Sequence, residues 1–240
     1  MEVKAKNTVI SAPGKAHIES LKHVMHSVKT LPKGLYGITS EEFGQTHAES
    51  ARIFLECGAE IVQYRGKRRD DTPKSPIDLK AEAQEIRKMC HHHGALFIVD
   101  DRVDIAIAVE ADGVHLGQQD MPLEEARQRF KGIIGVSAKT AEQAIAAEKG
   151  GADYLGCGAV FPTKTKYNAV EIGLNGLSGI VGKVSIPIYA IGGIKLDNLG
   201  AVKKVGPHGI AVISGILAQP DPILAGKTIV RRWNQPDIMR

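Results

Sequence analysis

Thr163-Lys164-Thr165-Lys166 puts two hydroxyls and two ammonium groups on one short loop. Hydroxyls donate hydrogen bonds and lysines supply point charge, so the run suits a phosphorylated ligand. Taken alone it reads as a solvated surface turn. Other reactive side chains extend the theme. Asp101 and Asp120 can share one Mg²⁺, an ion held by one or two carboxylates with substrate phosphates and water. Arg65, Lys67 and Lys166 supply the positive charge that a diphosphate needs. Gly192-Gly193 and Ile213-Ser214 can turn backbone N–H groups toward a second phosphate. Each has a plainer explanation: Asp100-Asp101-Arg102 as a helix cap with a surface ion pair, Asp120 as a cap ahead of Pro122, Arg65–Arg69 as a charged surface run, Gly192-Gly193 as a tight turn.

What must position these residues is a repeated strand–helix unit. Short apolar runs occur at 35–39, 61–65, 96–101, 113–117, 133–138, 154–160, 187–194 and 209–217. Between and after them, amphipathic segments predict helices near 45–57, 79–92, 103–109, 122–130, 141–149, 174–181, 196–203 and 222–233. Thr140 is a helix N-cap candidate, with Glu142 and Gln143 in the first turn; Gly94 and Gly150 stand just past helix ends. Strand–helix alternation implies a parallel sheet, and eight units predict a closed (β/α)8 TIM barrel. A doubly wound open sheet is the fallback, but no GxGxxG follows the first strand. In a barrel the chemistry sits where strands end, and the polar clusters fall there. A single catalytic barrel is expected over 34–240, after an N-terminal extension over 1–33 whose segment His17–Val28 has the spacing of one amphipathic helix.

Composition narrows the function classes. The chain has 240 residues, 43% of them hydrophobic and 24% charged, as expected of a soluble globular protein. A net charge of +4 is too weak to argue for nucleic acid and suits an anionic small substrate. Cys57, Cys90 and Cys157 show no paired spacing, so buried free thiols in a reducing compartment are expected. No signal peptide or membrane span is visible, and the expected address is the cytoplasm. Oligomeric state is open, a homo-oligomer included.

The ordered motifs QYRGK (63–67), DDRVDIA (100–106), DGVHLGQQD (112–120), GVS (135–137), ADYLGCGAVFPTKTK (152–166), AIGGI (190–194) and Ile213-Ser214 resemble thiamine-phosphate synthase. The resemblance runs from Leu35 to the last helix, and its long sixth-strand motif is the specific part. It implies that 4-amino-5-hydroxymethyl-2-methylpyrimidine diphosphate and 4-methyl-5-(2-phosphoethyl)thiazole, or the carboxylated form of the latter, join as thiamine monophosphate and release diphosphate. It further implies Mg²⁺ on Asp101 and Asp120. Gln63, Arg65, Lys67, Ser137 and Lys166 would bind the pyrimidine diphosphate, and Thr163, Thr165, Gly193, Ile213 and Ser214 the thiazole phosphate. The adjoining Tyr64, Gly66, Asp100, Lys164 and Gly192 join the substrate-binding set, and Arg65, Lys67, Ser137 and Lys166 form the catalytic one.

Two positions depart from the family's usual pattern. Asp100 stands where Asn is usual, and Lys139 where His is common. A further carboxylate beside a metal and a diphosphate calls for neutralisation by the metal, by Arg65 or by a proton. Two other readings compete: a thiazole tautomerase, which uses a His near the fifth strand, and a thiamine phosphate-binding protein without turnover.

Overall fold

The computed structural model describes residues 31–68, 74–165 and 170–236. The expected helix over His17–Val28 lies outside them. Eight strands follow one another around a closed barrel: β1 (Gly34–Ile38), β2 (Ile61–Tyr64), β3 (Leu96–Asp100), β4 (Gly113–Leu116), β5 (Ile133–Ala138), β6 (Tyr154–Gly158), β7 (Ile188–Ile191) and β8 (Gly209–Val212). Every neighbouring pair is parallel, and β8 closes on β1 with Tyr36 opposite Ala211. The expected TIM barrel is therefore the fold.

Side chains alternate across each strand. Leu35, Val62, Phe97, Val99, Val114, Ile134, Leu155 and Ile210 join the core beneath the helices. The alternate set points into the barrel. There Tyr36, Tyr154 and Tyr189 pack as a three-ring cluster, with ring centroids 5.3–5.9 Å apart. Glycines make the room: a Cβ at Gly135 would stand 2.0 Å from the Tyr154 ring, and one at Gly209 2.7 Å from that of Tyr189. The barrel is thus plugged by aromatic rings, and their hydroxyls and neighbours form the floor of a pocket at one mouth.

The helices, among the described residues, are α1 (His47–Glu56), α2 (Pro76–His92), α3 (Val103–Ala108), α4 (Leu123–Arg129), α5 (Ala141–Lys149), α6 (Gly173–Ile180), α7 (Leu199–Val205), α8 (Ser214–Leu217) and α9 (Pro222–Asn234). Their starts follow capping chemistry. Thr46 and Glu49 form a capping box on α1, and Thr140 accepts from the Gln143 N–H at the start of α5. Helix α2 begins three residues before the expected Leu79, because Ser75 caps it and Pro76 fits the first turn. Helix α7 begins three residues late: the Asn198 side chain accepts from the Lys195 N–H and folds 195–198 as a turn. The expected strand 209–217 is in fact β8 followed by α8. Gly215 permits the change, since a Cβ there would lie 2.1 Å from the Ile194 carbonyl oxygen. No helix among the described residues is long and apolar enough to cross a membrane.

Candidate active site at the carboxyl mouth of the barrel

The strand ends bring two carboxylates face to face. β3 pairs with β4 so that Asp100 lies opposite His115, and the Asp101 N–H donates to the His115 carbonyl at 2.8 Å. Asp101 has a left-handed backbone (φ 60°), uncommon for a residue with a side chain and tolerated best by Asp and Asn. Asp120 turns back from the loop after β4, its carboxylate accepting from the Gly117 N–H at 2.7 Å. It does not cap α4: no side chain caps that helix. The carboxyl groups of Asp101 and Asp120 hydrogen-bond to each other. Burial, then the Asp100 charge and the bond to Asp120, push the Asp101 carboxyl up to about 8, with Lys67 pulling the other way. Converging hard oxygen donors whose mutual repulsion favours a shared positive charge fit Mg²⁺.

Cations reach the same carboxylates from β2. The Lys67 ammonium lies 3.6 Å from Asp101, and the Arg65 guanidinium 3.9 Å from Asp100, with both side chains of that second pair largely buried. Arg65 thus meets the extra carboxylate. Between them, Gly66 is tightly flanked: a Cβ would lie 2.3 Å from Leu79 and 2.8 Å from the Tyr64 ring. Gln63, one strand position before Tyr64, is buried and donates to the Tyr36 hydroxyl at 2.9 Å.

From Tyr36 a polar chain crosses the barrel floor. The Tyr36 and Tyr154 hydroxyls are 2.8 Å apart, Tyr154 lies 3.1 Å from His115 Nδ1, and His115 Nε2 lies 3.0 Å from the Ser137 hydroxyl. Gln63, Arg65, Asp100, Ser137 and Lys139 line one pocket with these groups. The motifs alone do not mark His115, Tyr36 or Tyr154 as site residues. The signal was the two-residue alternation: His115 follows inward-facing Gly113, opposite Gly135 in the neighbouring strand.

The far side of the mouth is built from β6, β7 and β8. Thr163, Thr165, Gly192, Gly193, Ile213 and Ser214 line the same pocket. The loop after β6 is tied down where the Phe161 N–H donates to the Gly192 carbonyl at 3.0 Å, and the Thr165 N–H to the Thr163 hydroxyl at 3.3 Å. Gly192 and Gly193 both have positive φ, and a Cβ on Gly193 would stand 2.5 Å from the Pro162 carbonyl oxygen. The glycine pair therefore serves a tight turn and a close backbone approach together.

Three named residues stand apart. Tyr64 faces the helices, and its hydroxyl donates to Glu82 at 2.6 Å, so its side chain supports the segment from behind. Lys164 is exposed, between the two pocket-lining threonines. Lys166 lies outside the described residues. A second cluster, Glu41, His47 and Glu82, brings ligand-type atoms within 4.8 Å of one another. The buried Lys74 ammonium already bonds both of its carboxylates, at 2.5 and 2.6 Å.

A family model for thiamine monophosphate synthase matches residues 35–216. The chain is similar to the thiamine-phosphate synthase of Caldivirga maquilingensis, with 49% identity over 207 residues that cover 85% of this chain and 98% of that one. It is similar to the Methanospirillum hungatei thiamine-phosphate synthase, with 51% identity over 201 residues covering 81% and 94%. The solved thiamine phosphate pyrophosphorylase from Pyrococcus furiosus superposes with a TM-score of 0.76 at 43% identity, covering 84% of this chain and 97% of that one. A 3-hexulose-6-phosphate synthase, 19% identical with a TM-score of 0.58, shares the fold alone. With motifs, barrel and relatives in agreement, the chain belongs to the thiamine monophosphate synthase family.

Proposed function

We propose that the protein joins 4-amino-5-hydroxymethyl-2-methylpyrimidine diphosphate to 4-methyl-5-(2-phosphoethyl)thiazole, in thiamine biosynthesis. The thiazole nitrogen forms a bond to the pyrimidine's methylene carbon. The C–O bond to diphosphate breaks, and diphosphate leaves with the bonding electrons. One observation carries this reading: a facing carboxyl pair flanked by Lys67 and Arg65 shares a mouth with a threonine- and glycine-lined pocket. One mouth then offers two places for phosphate groups, as a reaction between two phosphorylated molecules requires.

In this reading Asp101 and Asp120 would hold Mg²⁺, which when bound would neutralise charge on the diphosphate. Arg65 and Lys67 hold the departing diphosphate by fixed charge, set before reaction. On the family resemblance Lys166 adds to them. Gln63 and Ser137, anchored at the two ends of the floor chain, orient the pyrimidine. Thr163 and Thr165, with backbone groups around Gly193 and Ser214, hold the thiazole phosphate. Asp100, Gly192 and Ile213 shape the pocket, and Gly66 lets the Arg65–Lys67 segment pack closely on Leu79 and Tyr64. No serine nucleophile is needed in this reaction, because the thiazole nitrogen is itself the attacking group. Three free buried cysteines suit a reducing compartment, and we assign the protein to the cytoplasm.

His115 favours a second reading, since an imidazole in the pocket could move protons in a thiazole isomerisation. Incubating the pure protein with both substrates and Mg²⁺ separates the alternatives. Thiamine monophosphate formation is expected. Isomerisation of a thiazole carboxylate phosphate alone would favour the tautomerase, and tight binding without turnover a non-catalytic thiamine phosphate-binding protein.

A further inference from the structure

The Arg65–Lys67 segment carries two cations of the proposed diphosphate site, and two side chains hold its backbone from behind. Thr39, just past β1, and His47, the first residue of α1, are buried and lie outside the pocket lining. The Arg65 N–H donates to the Thr39 hydroxyl at 3.2 Å. That hydroxyl lies 2.8 Å from His47 Nδ1, and His47 Nε2 lies 3.0 Å from the Lys67 carbonyl oxygen. Inside the bracket the Lys67 N–H donates to the Arg65 carbonyl at 2.7 Å, folding the three residues tightly.

Hydrogen-bond polarity around this ring has one consistent assignment. A carbonyl oxygen only accepts, so His47 Nε2 carries a proton. In the neutral ring Nδ1 then accepts, and the Thr39 hydroxyl donates to it. The same hydroxyl's lone pairs take the Arg65 N–H. Burial holds the His47 pKa below its usual value, in keeping with a neutral ring. The groups facing it are Lys74, Glu41, whose carboxylate is 3.8 Å away, and Glu82. An edge-on contact with Tyr64, at 5.2 Å and 83°, fixes the ring plane.

We propose that Thr39 and His47 are positioning residues: they pin the Arg65 amide and the Lys67 carbonyl, and so aim the guanidinium and the ammonium at the diphosphate. They touch no ligand and act only through the backbone of residues 65–67. This rests on the functional reading above for what the cations bind, while the clamp itself stands on its own geometry.

The test uses the full chain as wild type, His47→Ala, Thr39→Val, which keeps the shape but lacks the hydroxyl, and Thr39→Ser, which restores it. Amide hydrogen exchange over residues 63–68 reads the clamp. Calorimetric titration with magnesium pyrophosphate, and separately with the thiazole phosphate, reads its effect. In His47→Ala and Thr39→Val, exchange and the pyrophosphate Kd should each rise roughly tenfold, on the scale of one lost buried hydrogen bond. Thiazole phosphate affinity should hold within about twofold, and Thr39→Ser should match wild type on every readout. Unchanged exchange, unchanged pyrophosphate affinity, or an equal loss for both ligands would overturn the proposal. A wild type that binds magnesium pyrophosphate but makes no thiamine monophosphate would remove the functional reading and leave the clamp standing.

Discussion

The carboxyl groups of Asp101 and Asp120 meet in a hydrogen bond, although one leaves β3 and the other folds back from the loop after β4. Asp101 reaches this position with φ at 60°. Two such groups, with Asp100 beside them, cannot all carry charge at low cost in a half-buried site. A proton or a cation must intervene.

Divalent cation binding should therefore stabilise the fold. At 100 times its Kd a ligand that binds only the native state adds about 2.7 kcal/mol, which is several degrees of melting temperature. Millimolar Mg²⁺ should raise the Tm of the wild type and leave Asp101→Asn and Asp120→Asn within about one degree of their metal-free values. Both variants should fold, because each loses a repelled charge, and both should lose Mg²⁺-dependent turnover. Thermal melts with and without Mg²⁺ check this. A full Mg²⁺ shift in either variant would move the ion elsewhere.

Arg65 and Asp100 should behave as a coupled pair. Both side chains are largely buried and lie 3.9 Å apart. Removing the guanidinium leaves a carboxylate without that compensation, so Arg65→Ala should cost about 2–3 kcal/mol of stability. Asp100→Asn in that background should recover at least half. Urea unfolding of the four proteins of the cycle measures the coupling. Additive losses would mean that Asp100 takes its compensation elsewhere.

Strand ends were readable from sequence because one rule places chemistry there in any (β/α)8 barrel. That rule alone brings Asp101, Asp120, Arg65, Ser137 and Thr163 toward one mouth. It says nothing about side chains that act from behind. Thr39 and His47 sit at a strand end and a helix start, and only the closed barrel brings them against Lys67. Tyr64 belongs to a motif with Arg65, yet strand alternation turns it outward. His115 sits inside a motif that was recognised for Asp120, and its contact with Ser137 is set by the β4–β5 register. The short helix at Ser214 was hidden because Ile213 and Ile216 read as a continuing strand.

His47 should make stability pH-dependent. Its pKa is lowered in the folded state, chiefly by burial, so the unfolded chain binds the extra proton first. Its contribution is whole above the unfolded value of about 6.5 and declines as pH falls toward the folded one. The wild type should lose stability between pH 8 and 5.5 relative to His47→Gln, with a slope of no more than about 1.4 kcal/mol per pH unit. Urea midpoints at three pH values read the difference. Parallel curves would mean that the buried ring accepts its proton freely.

The glycines beneath the pocket should matter in a fixed order. A Cβ on Gly135 would stand 2.0 Å from the Tyr154 ring, which is held by Tyr36 on one side and Tyr189 on the other. That ring has nowhere to retreat, and its hydroxyl also meets His115 Nδ1. A Cβ on Gly156 would meet only the His115 ring edge, at 3.0 Å, where a shift of a few tenths of an ångström suffices. Overpacking of the first kind costs about 1–3 kcal/mol. Gly135→Ala should therefore cost about 2–3 kcal/mol, the upper part of that range, and Gly156→Ala under about 1 kcal/mol. Urea unfolding ranks them. Gly156→Ala should still alter pyrimidine diphosphate affinity, because the imidazole it nudges holds the Ser137 hydroxyl. Equal costs for the two substitutions would mean that the tyrosine cluster is looser than its ring contacts indicate.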